Sequence, residues 1–448
     1  MNQRRMKRWL LLYCLALATL TSQAQTATKH EFSITQAVDY ARKNNVQVKN
    51  ALLNVQIQQQ TNRDITSAAF PQVTGNVGMT DFLTIPTSLI PGEIFGQPAG
   101  TYIPVQFGTK YNSTASILLK QLLFDGQVFI GLQARATSIR FQEKNAEVTE
   151  EMIKTNIYKI YYQLAVSKTQ IDLLDANIAR LTKLQHDANE LYKNGFAEKL
   201  DLDKIAVQVA NLQTEKLKAN NNIGIGYLGL KTLMGMPAKD TLILTDKIAE
   251  DQVKADFVND TAYQYADRKE FQYLQLGKKL NEYNIRRYKL SYLPTLSLDG
   301  SYSKNAQRNT FSFFGKGDWF TTSYVGLNLA VPIFDGFAKN ARIKKATLEM
   351  KQTENQIENL QLSIDNEVEQ ARISFRTALA TMAFQKQNMQ LAENVYNQTK
   401  KKFEIGTGSN TEINAAQTDL VTAQTNYISA LYTAIIARVD YLKATGKL

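Results

Sequence analysis

The stretch LPTLSLDGSYSK, residues 293–304, decides the fold of this chain. After Pro294 the residues alternate, with leucine, glycine and tyrosine on one face and threonine, serine and aspartate mostly on the other. A period of two residues predicts a β-strand with one apolar and one polar face. Residues 323–332, SYVGLNLAVP, alternate in the same way and predict a second strand of this kind.

An internal duplication places these strands in one of two similar halves. Phe124-Asp125-Gly126 recurs as Phe334-Asp335-Gly336, and Gly195 and Gly406 are separated by nearly the same interval. Upstream, Phe70-Pro71 corresponds to Leu293-Pro294, but the first half is longer there because of a Pro- and Gly-rich stretch, residues 85–104, that we expect to be a loop. Such regular offsets predict two structural repeats, residues 25–236 and 263–448, joined by residues 237–262.

Long helices are predicted after each Phe-Asp-Gly motif. Apolar residues follow in alternating steps of three and four, which is typical of coiled-coil packing. In the second half the residues that stand seven apart are Val368, Phe375, Met382, Met389, Tyr396 and Phe403. We expect two helical hairpins, over residues 127–234 and 338–445, that reverse at Gly195 and Gly406, since glycine tolerates the positive φ of a tight turn. The helices alone would equally fit a soluble coiled-coil rod.

The strands argue against a rod. Four are predicted, at residues 73–82, 112–123, 295–304 and 323–332. Aromatic residues crowd the loop between the last two, as an interfacial girdle requires: Phe311, Phe313, Phe314, Trp319 and Phe320. A hairpin covering a soluble core is the alternative for each strand taken singly. Four strands cannot close a barrel in lipid, where about eight are the minimum, so a membrane location requires several chains to share one barrel.

The amino terminus has the pattern of a secretory signal peptide, residues 1–24. Four basic residues precede a short apolar core at residues 9–20, and Ser22-Gln23-Ala24 offers a cleavage site. Cys14 inside the core leaves a lipoprotein as the alternative. No later apolar run is long enough to predict a transmembrane helix.

Composition excludes several classes of function. The chain has 448 residues, one Cys and two His, so neither a disulfide nor a Cys- or His-rich metal centre is expected. The formal net charge of +11 is diffuse, which argues against nucleic-acid binding. The glycine pattern at residues 224–229 lacks the preceding strand of a dinucleotide site, and His186-Asp187 has no evident nucleophile. We therefore expect no enzyme and no cofactor.

The chain resembles the TolC family of outer-membrane efflux proteins. The resemblance rests on the duplication, on the strand at residues 293–298, on Val-Pro-Ile-Phe-Asp-Gly at residues 331–336, and on Gly406-Thr407-Gly408 leading into Ala415-Ala416-Gln417. It covers essentially the whole chain after the signal peptide. It implies a mainly α protein with a membrane β part, in which a homotrimer shares a twelve-stranded barrel in outer-membrane lipid. A long coiled-coil α-helical barrel then lies in the periplasm, with an equatorial belt drawn from residues 237–260 and both termini.

The resemblance also implies a function: passive export through a duct that docks to a periplasmic adaptor and an inner-membrane transporter. A periplasmic coiled-coil adaptor or structural rod is the alternative. The cargo, whether drug, metal or polypeptide, is left open.

By the same resemblance the adaptor meets the periplasmic turns, where the candidate contacts are Lys193, Asn194, Gly195, Phe196, Gly406, Thr407 and Gly408. Asp201 and Glu412 are candidates for a pore gate, because the family carries acidic rings there. A second ring position falls on Ala415, and Gly408 offers no side chain for a closing link. The alternative for both acids is a first-turn carboxylate stabilised by the helix dipole.

Overall fold

The computed structural model describes residues 28–246, 263–314 and 317–448. The predicted signal peptide, residues 1–24 with Cys14, lies outside the described residues, as do residues 247–262 of the predicted equatorial segment. Two compact units are present. The first unit takes its described residues from Met1–Ala51, Ala146–Lys269 and Gln361–Leu448, and the second unit comprises Leu52–Asn145 and Glu270–Leu360.

The chain is mainly helical with a β part, which confirms the predicted class. The helices are α1 (Ile34–Asn44), α2 (Val46–Ser67), α3 (Gly126–Lys193), α4 (Lys199–Met234), α5 (Lys269–Leu290), α6 (Ala338–Glu404) and α7 (Asn410–Ala444). The strands are β1 (Lys29–Phe32), β2 (Gln72–Asp81), β3 (Thr87–Pro91), β4 (Tyr102–Gln106), β5 (Tyr111–Phe124), β6 (Thr241–Leu244), β7 (Thr295–Arg308) and β8 (Phe320–Ala330).

A four-stranded antiparallel sheet dominates the β part of the second unit, in the order β2-β5-β7-β8. The register pairs Val73 with Leu119, Leu119 with Gly300, and Leu298 with Leu327. Residues directly opposite each other in an antiparallel pair share a face. The apolar rows of all four strands therefore fall on one face, and the serine, threonine and asparagine rows fall mostly on the other.

The apolar face of this sheet is uncovered. Val77 is 85% exposed, Val325 is 78% exposed and Leu327 is 69% exposed. A contiguous exposed apolar surface of this kind marks a site that contacts a membrane or another protein. The two outer strands of the sheet, β2 and β8, each leave one backbone edge unpaired within the described residues.

The Pro- and Gly-rich stretch of the second unit is not the plain loop that the sequence suggested. Strands β3 and β4 pair antiparallel, from Thr87 with Gln106 to Pro91 with Tyr102, around a single 3-10 turn at Gly92–Phe95. The Gly92 N–H donates to the Thr101 carbonyl at 2.7 Å. Pro91 and Pro104 sit in a short two-stranded ribbon, where each strand has a free edge that tolerates a missing N–H.

The first unit is held by the predicted seven-residue seam. Val368, Phe375, Met382 and Tyr396 of α6 are all buried, and Phe375 stacks on Tyr441 of α7 with ring centroids 5.8 Å apart. Along α7 the buried residues include several alanines, such as Ala416, Ala430 and Ala434. Small side chains there allow the helices to approach each other closely.

A parallel two-stranded sheet also lies in the first unit. Strand β1 pairs with β6 from Lys29 with Thr241 to Phe32 with Leu244. The fully buried Tyr161 of α3 ties this sheet to the helices, because its hydroxyl donates to the Phe32 carbonyl at 3.0 Å and accepts from the Asp246 N–H at 3.2 Å. Burial raises the pKa of Tyr161 to about 12, so this hydroxyl keeps its proton at neutral pH.

Candidate functional site at the helix turns

The turn between α3 and α4 is a compact reversal built around glycine. Gly195 has φ of 80°, which an L side chain rarely adopts. The N–H groups of Gly195 and Phe196 donate to the carbonyls of Tyr192 and Leu191, at 2.9 and 2.8 Å. These bonds satisfy the last carbonyls of α3 and turn the chain outward. Phe196 is left 81% exposed at the end of the turn.

The turn between α6 and α7 repeats this design with a second glycine constraint. Gly406 has φ of 76°, and its N–H donates to the Phe403 carbonyl at 3.1 Å. The N–H groups of Thr407 and Gly408 both donate to the Lys402 carbonyl at 3.0 Å. A Cβ atom on Gly408 would stand 2.9 Å from the Phe403 nitrogen, so the backbone packing of this turn excludes a side chain there.

A groove of about 740 Å³ brings the two turns of the first unit together. Of the predicted contact residues, Asn194, Phe196, Gly406 and Gly408 line it. Lys193, Gly195 and Thr407 are not among its lining residues. Their own turns hold them instead: Lys193 pairs with Glu190 at 2.8 Å, and this hydrogen bond lowers the pKa of Glu190.

The groove combines an apolar base with several charged side chains, among them Arg180. Ile413 is fully buried, and Phe403 is partly buried against the same apolar cluster. The Arg180 guanidinium lies 5.0 Å from the centre of the Tyr396 ring, a geometry that fits a cation–π contact. Burial raises the pKa of Tyr396, so the ring stays neutral beneath the cation.

A buried polar cluster next to the groove was not predicted. Asn177 of α3 is 2% exposed. Its Nδ2 donates to Gln424 Oε1 at 2.7 Å, and its Oδ1 accepts from Arg180 Nη1 at 3.0 Å and Gln417 Nε2 at 3.2 Å. Because unmatched buried amides are costly, such a cluster restricts α3 and α7 to one register. Polar residues beside an otherwise apolar seam are the sequence signal that could have revealed it.

The two gate candidates lie in the first turns of α4 and α7. Glu412 belongs to a capping box, since its N–H donates to Ser409 Oγ at 3.2 Å while the Ser409 N–H donates to Glu412 Oε2 at 3.3 Å. Asp201 pairs with Lys204 at 3.8 Å. Neither residue lines the groove. Both carboxylates therefore have partners at the start of their own helices, as expected for acids stabilised in a first turn. Their role in a gate remains a prediction.

The glycine pattern at residues 224–229 has a structural role at one position. Gly226 lies inside α4, where a Cβ atom would stand 2.7 Å from Leu164 Cδ2, whereas Gly224 and Gly229 face open space. Only one of the three glycines therefore serves close packing. Among the described residues, no group of three or more His, Cys, Asp or Glu side chains is placed to hold a metal ion. Within those same residues, no helix is sufficiently long and apolar to cross a membrane.

Comparison with known proteins finds relatives of one kind. Residues 266–447 match the model of the outer membrane efflux protein family. The match covers the second predicted repeat and supports the resemblance seen in the sequence. The outer membrane efflux protein BepC of Brucella suis is 22% identical over 439 residues, covering 97% of this chain and 89% of BepC. The outer membrane protein TolC of Vibrio cholerae is 18% identical over 340 residues, covering 75% of this chain and 77% of that protein.

The fold of this chain has solved counterparts. A structure of CusC, described in terms of transmembrane channel formation, superposes with a TM-score of 0.75 at 14% identity and covers 95% of both chains. This likeness shows the fold. The matches to outer membrane efflux proteins support the predicted function and location, an outer-membrane channel with its helical part in the periplasm. The alternative of a periplasmic adaptor or a rod is not supported. The family consists of channel proteins rather than enzymes.

Proposed function

We propose that three copies of this chain form the outer-membrane exit duct of a tripartite efflux or type I secretion system. The single observation that carries the proposal is the four-stranded sheet, with its uncovered apolar face and two open edges. In lipid every backbone N–H and carbonyl needs a partner. If β8 of each copy pairs with β2 of the next, twelve strands close into one wall with the apolar face outward.

Cargo passes through such a duct passively. The energy comes from an inner-membrane transporter, and a periplasmic adaptor joins the transporter to the helix turns. Phe196 and Ile405 support this docking role, because each leaves a large apolar side chain exposed beside the groove that joins the turns. An exposed aromatic anchor at the edge of a groove is a common centre of a protein interface.

Conductance tests the duct directly. The purified protein, added to a planar lipid bilayer, should produce discrete and uniform current steps, because each inserted assembly encloses one water-filled pathway. A heat-denatured sample of the same protein is the control. Inserted protein that leaves the current at the level of this control would contradict the duct.

The gate proposal for Glu412 can be separated from its capping role. We expect Glu412→Gln to shift the reversal potential towards lower cation preference, since it removes a carboxylate from each copy while an amide can still accept the Ser409 N–H. Ser409→Ala keeps the charge and removes the cap, at a cost of about 0.5–2 kcal/mol of stability. Unfolding temperature and reversal potential are measured for both variants.

A gate made by Glu412 thus predicts a shifted reversal potential in Glu412→Gln alone. An unchanged reversal potential in that variant, with a lowered unfolding temperature only in Ser409→Ala, would leave Glu412 as a capping residue.

A further inference from the structure

A second exposed surface lies in the second unit, where the sheet joins the helices. Val331, Ile333, Phe334 and Phe337 follow β8 and precede α6, and all four side chains are exposed. The rings of Phe334 and Phe337 meet edge to face with centroids 5.6 Å apart. Aromatic side chains are therefore exposed at the point where the chain leaves the sheet.

Phe337 adopts a strained backbone to reach this position. Its φ is 66°, the only positive φ at a non-glycine residue within the described part of the chain. A side chain in this region costs about 1–3 kcal/mol and persists where its surroundings compensate. Phe337 is 72% exposed, so packing within the chain offers little compensation. The turn is held by hydrogen bonds at Asp335 and Phe337, and the exposed ring is free to contact a partner outside the chain.

Cations lie immediately beside this aromatic surface. Residues 283–292 contain Arg286, Arg287 and Lys289, residues 336–348 contain Lys339, Arg342, Lys344 and Lys345, and neither stretch contains a carboxylate. The two stretches meet in space, because Lys339 Nζ lies 5.4 Å from the centre of the Tyr292 ring. We call the surface formed by residues 283–292 and 331–345 the collar; it contains one carboxylate, Asp335.

The position of the cations in their helices is favourable in α5 but not in α6. Arg287 and Lys289 occupy the last turn of α5, where the helix dipole favours positive charge. Lys339, Arg342 and Lys345 stand three residues apart near the start of α6, where like charges at this spacing repel. Lys339 also lies in the first turn, where the dipole disfavours positive charge. Asp335 and Glu349 reach only Lys339 and Lys345, at 4.0 and 3.8 Å. Helix energetics therefore do not explain the α6 group.

We propose that the collar binds the phosphate groups of anionic phospholipids in the leaflet that borders the helices. Aromatic rings prefer the membrane interface, and Lys and Arg close to it attract anionic headgroups. The membrane supplies partners that the chain does not, since acyl chains cover Phe334 and Phe337 while lipid phosphates neutralise Arg342 and add to the Glu349 carboxylate at Lys345. The proposal rests on the location of the sheet in the outer membrane and adds a headgroup preference to it.

Quenching by brominated lipids tests the collar in the intact assembly. Phe334→Trp in a Trp319→Phe background places one reporter there, because the other tryptophan, Trp9, lies in the predicted signal peptide. The protein is reconstituted in mixed phosphatidylcholine and phosphatidylglycerol vesicles in which one lipid carries bromine. We expect phosphatidylglycerol to occupy the reporter site about fivefold more readily than phosphatidylcholine, and less so at high salt.

Two double variants separate the collar from general charge. The double variant Arg342→Gln with Lys345→Gln should reduce the preference for phosphatidylglycerol over phosphatidylcholine to a ratio of about one. The matched control, Lys401→Gln with Lys402→Gln, removes the same charge from the far end of α6. It should leave the preference for phosphatidylglycerol unchanged. Equal quenching by both lipids in the parent protein would overturn the headgroup preference. Quenching by neither lipid would show that another copy covers the collar and would overturn the proposal entirely.

Discussion

Replacing Leu327 with Arg should nearly abolish the assembled protein in the outer membrane. Leu327 lies in the middle of β8, opposite Leu298, on the uncovered apolar face of the sheet. A cationic side chain on the lipid face of a barrel costs about 2–4 kcal/mol at the bilayer midplane. Every copy carries the change, so the penalty is repeated in each subunit. The amount of folded oligomer in outer-membrane fractions is the measurement.

Asn328→Arg provides the matched control for this experiment. Asn328 is the next residue of β8, pairs with Ser297 and belongs to the polar face of the sheet. The same charge at nearly the same depth should then be tolerated, because the polar face borders water in the proposed barrel. Equal loss of oligomer in both variants, or loss in Asn328→Arg alone, would show that the two faces are wrongly assigned.

Replacing Gly406 with Val should abolish most export while the oligomer still assembles. The φ of 76° at Gly406 is a region that a β-branched residue enters only with strain of about 1–3 kcal/mol. Such strain lowers the population of the native turn by about 5- to 150-fold. A Cβ atom there would meet no atom within 4 Å, so the effect is one of backbone geometry rather than of packing.

Export from cells and oligomer yield are compared for Gly406→Val and Lys401→Val. The second variant adds the same side chain at an exposed helical position in the last turn of α6. It should change export little. Normal export by Gly406→Val would contradict the assignment of this turn to the docking end, and loss of the oligomer would show that the turn serves folding rather than docking.

Much of the architecture could be predicted because it depends on local periodicity. Alternation with a period of two fixes which residues share a sheet face, and the register places Val73, Ile117, Leu298 and Leu327 on the same side. The seven-residue spacing from Val368 onward fixes which face of α6 is buried. Both patterns repeat over many residues, so single exceptions do not obscure them.

Features that depend on one distant partner could not be predicted in this way. Strand β1 has four residues and pairs with β6, more than two hundred positions away. Asn45 breaks the helix between α1 and α2, and its Nδ2 donates to the Leu233 carbonyl at 2.7 Å. The cluster around Asn177 likewise joins α3 to α7. Each relies on contacts between residues far apart in the chain, for which neither propensity nor periodicity gives a signal.

The predicted site residues also divide into those set by local sequence and those that depend on distant partners. Glycine chemistry is local, so Gly195 and Gly406 could be placed at the reversals from the sequence alone. The groove depends on how the two hairpins of the first unit pack, and only the structure adds Arg180 and Tyr396 to it. Glu412 could be placed in a first turn, and its spacing from Ser409 fits a capping box, but the structure shows that the Ser409 N–H donates to it.

The mass of the membrane-extracted particle tests the central claim, that one chain cannot complete its own wall in lipid. The full-length protein is extracted in mild detergent and weighed by native mass spectrometry. Three open-edged sheets of four strands should give a particle with the mass of three chains. A stable, folded particle with the mass of one chain would contradict the account.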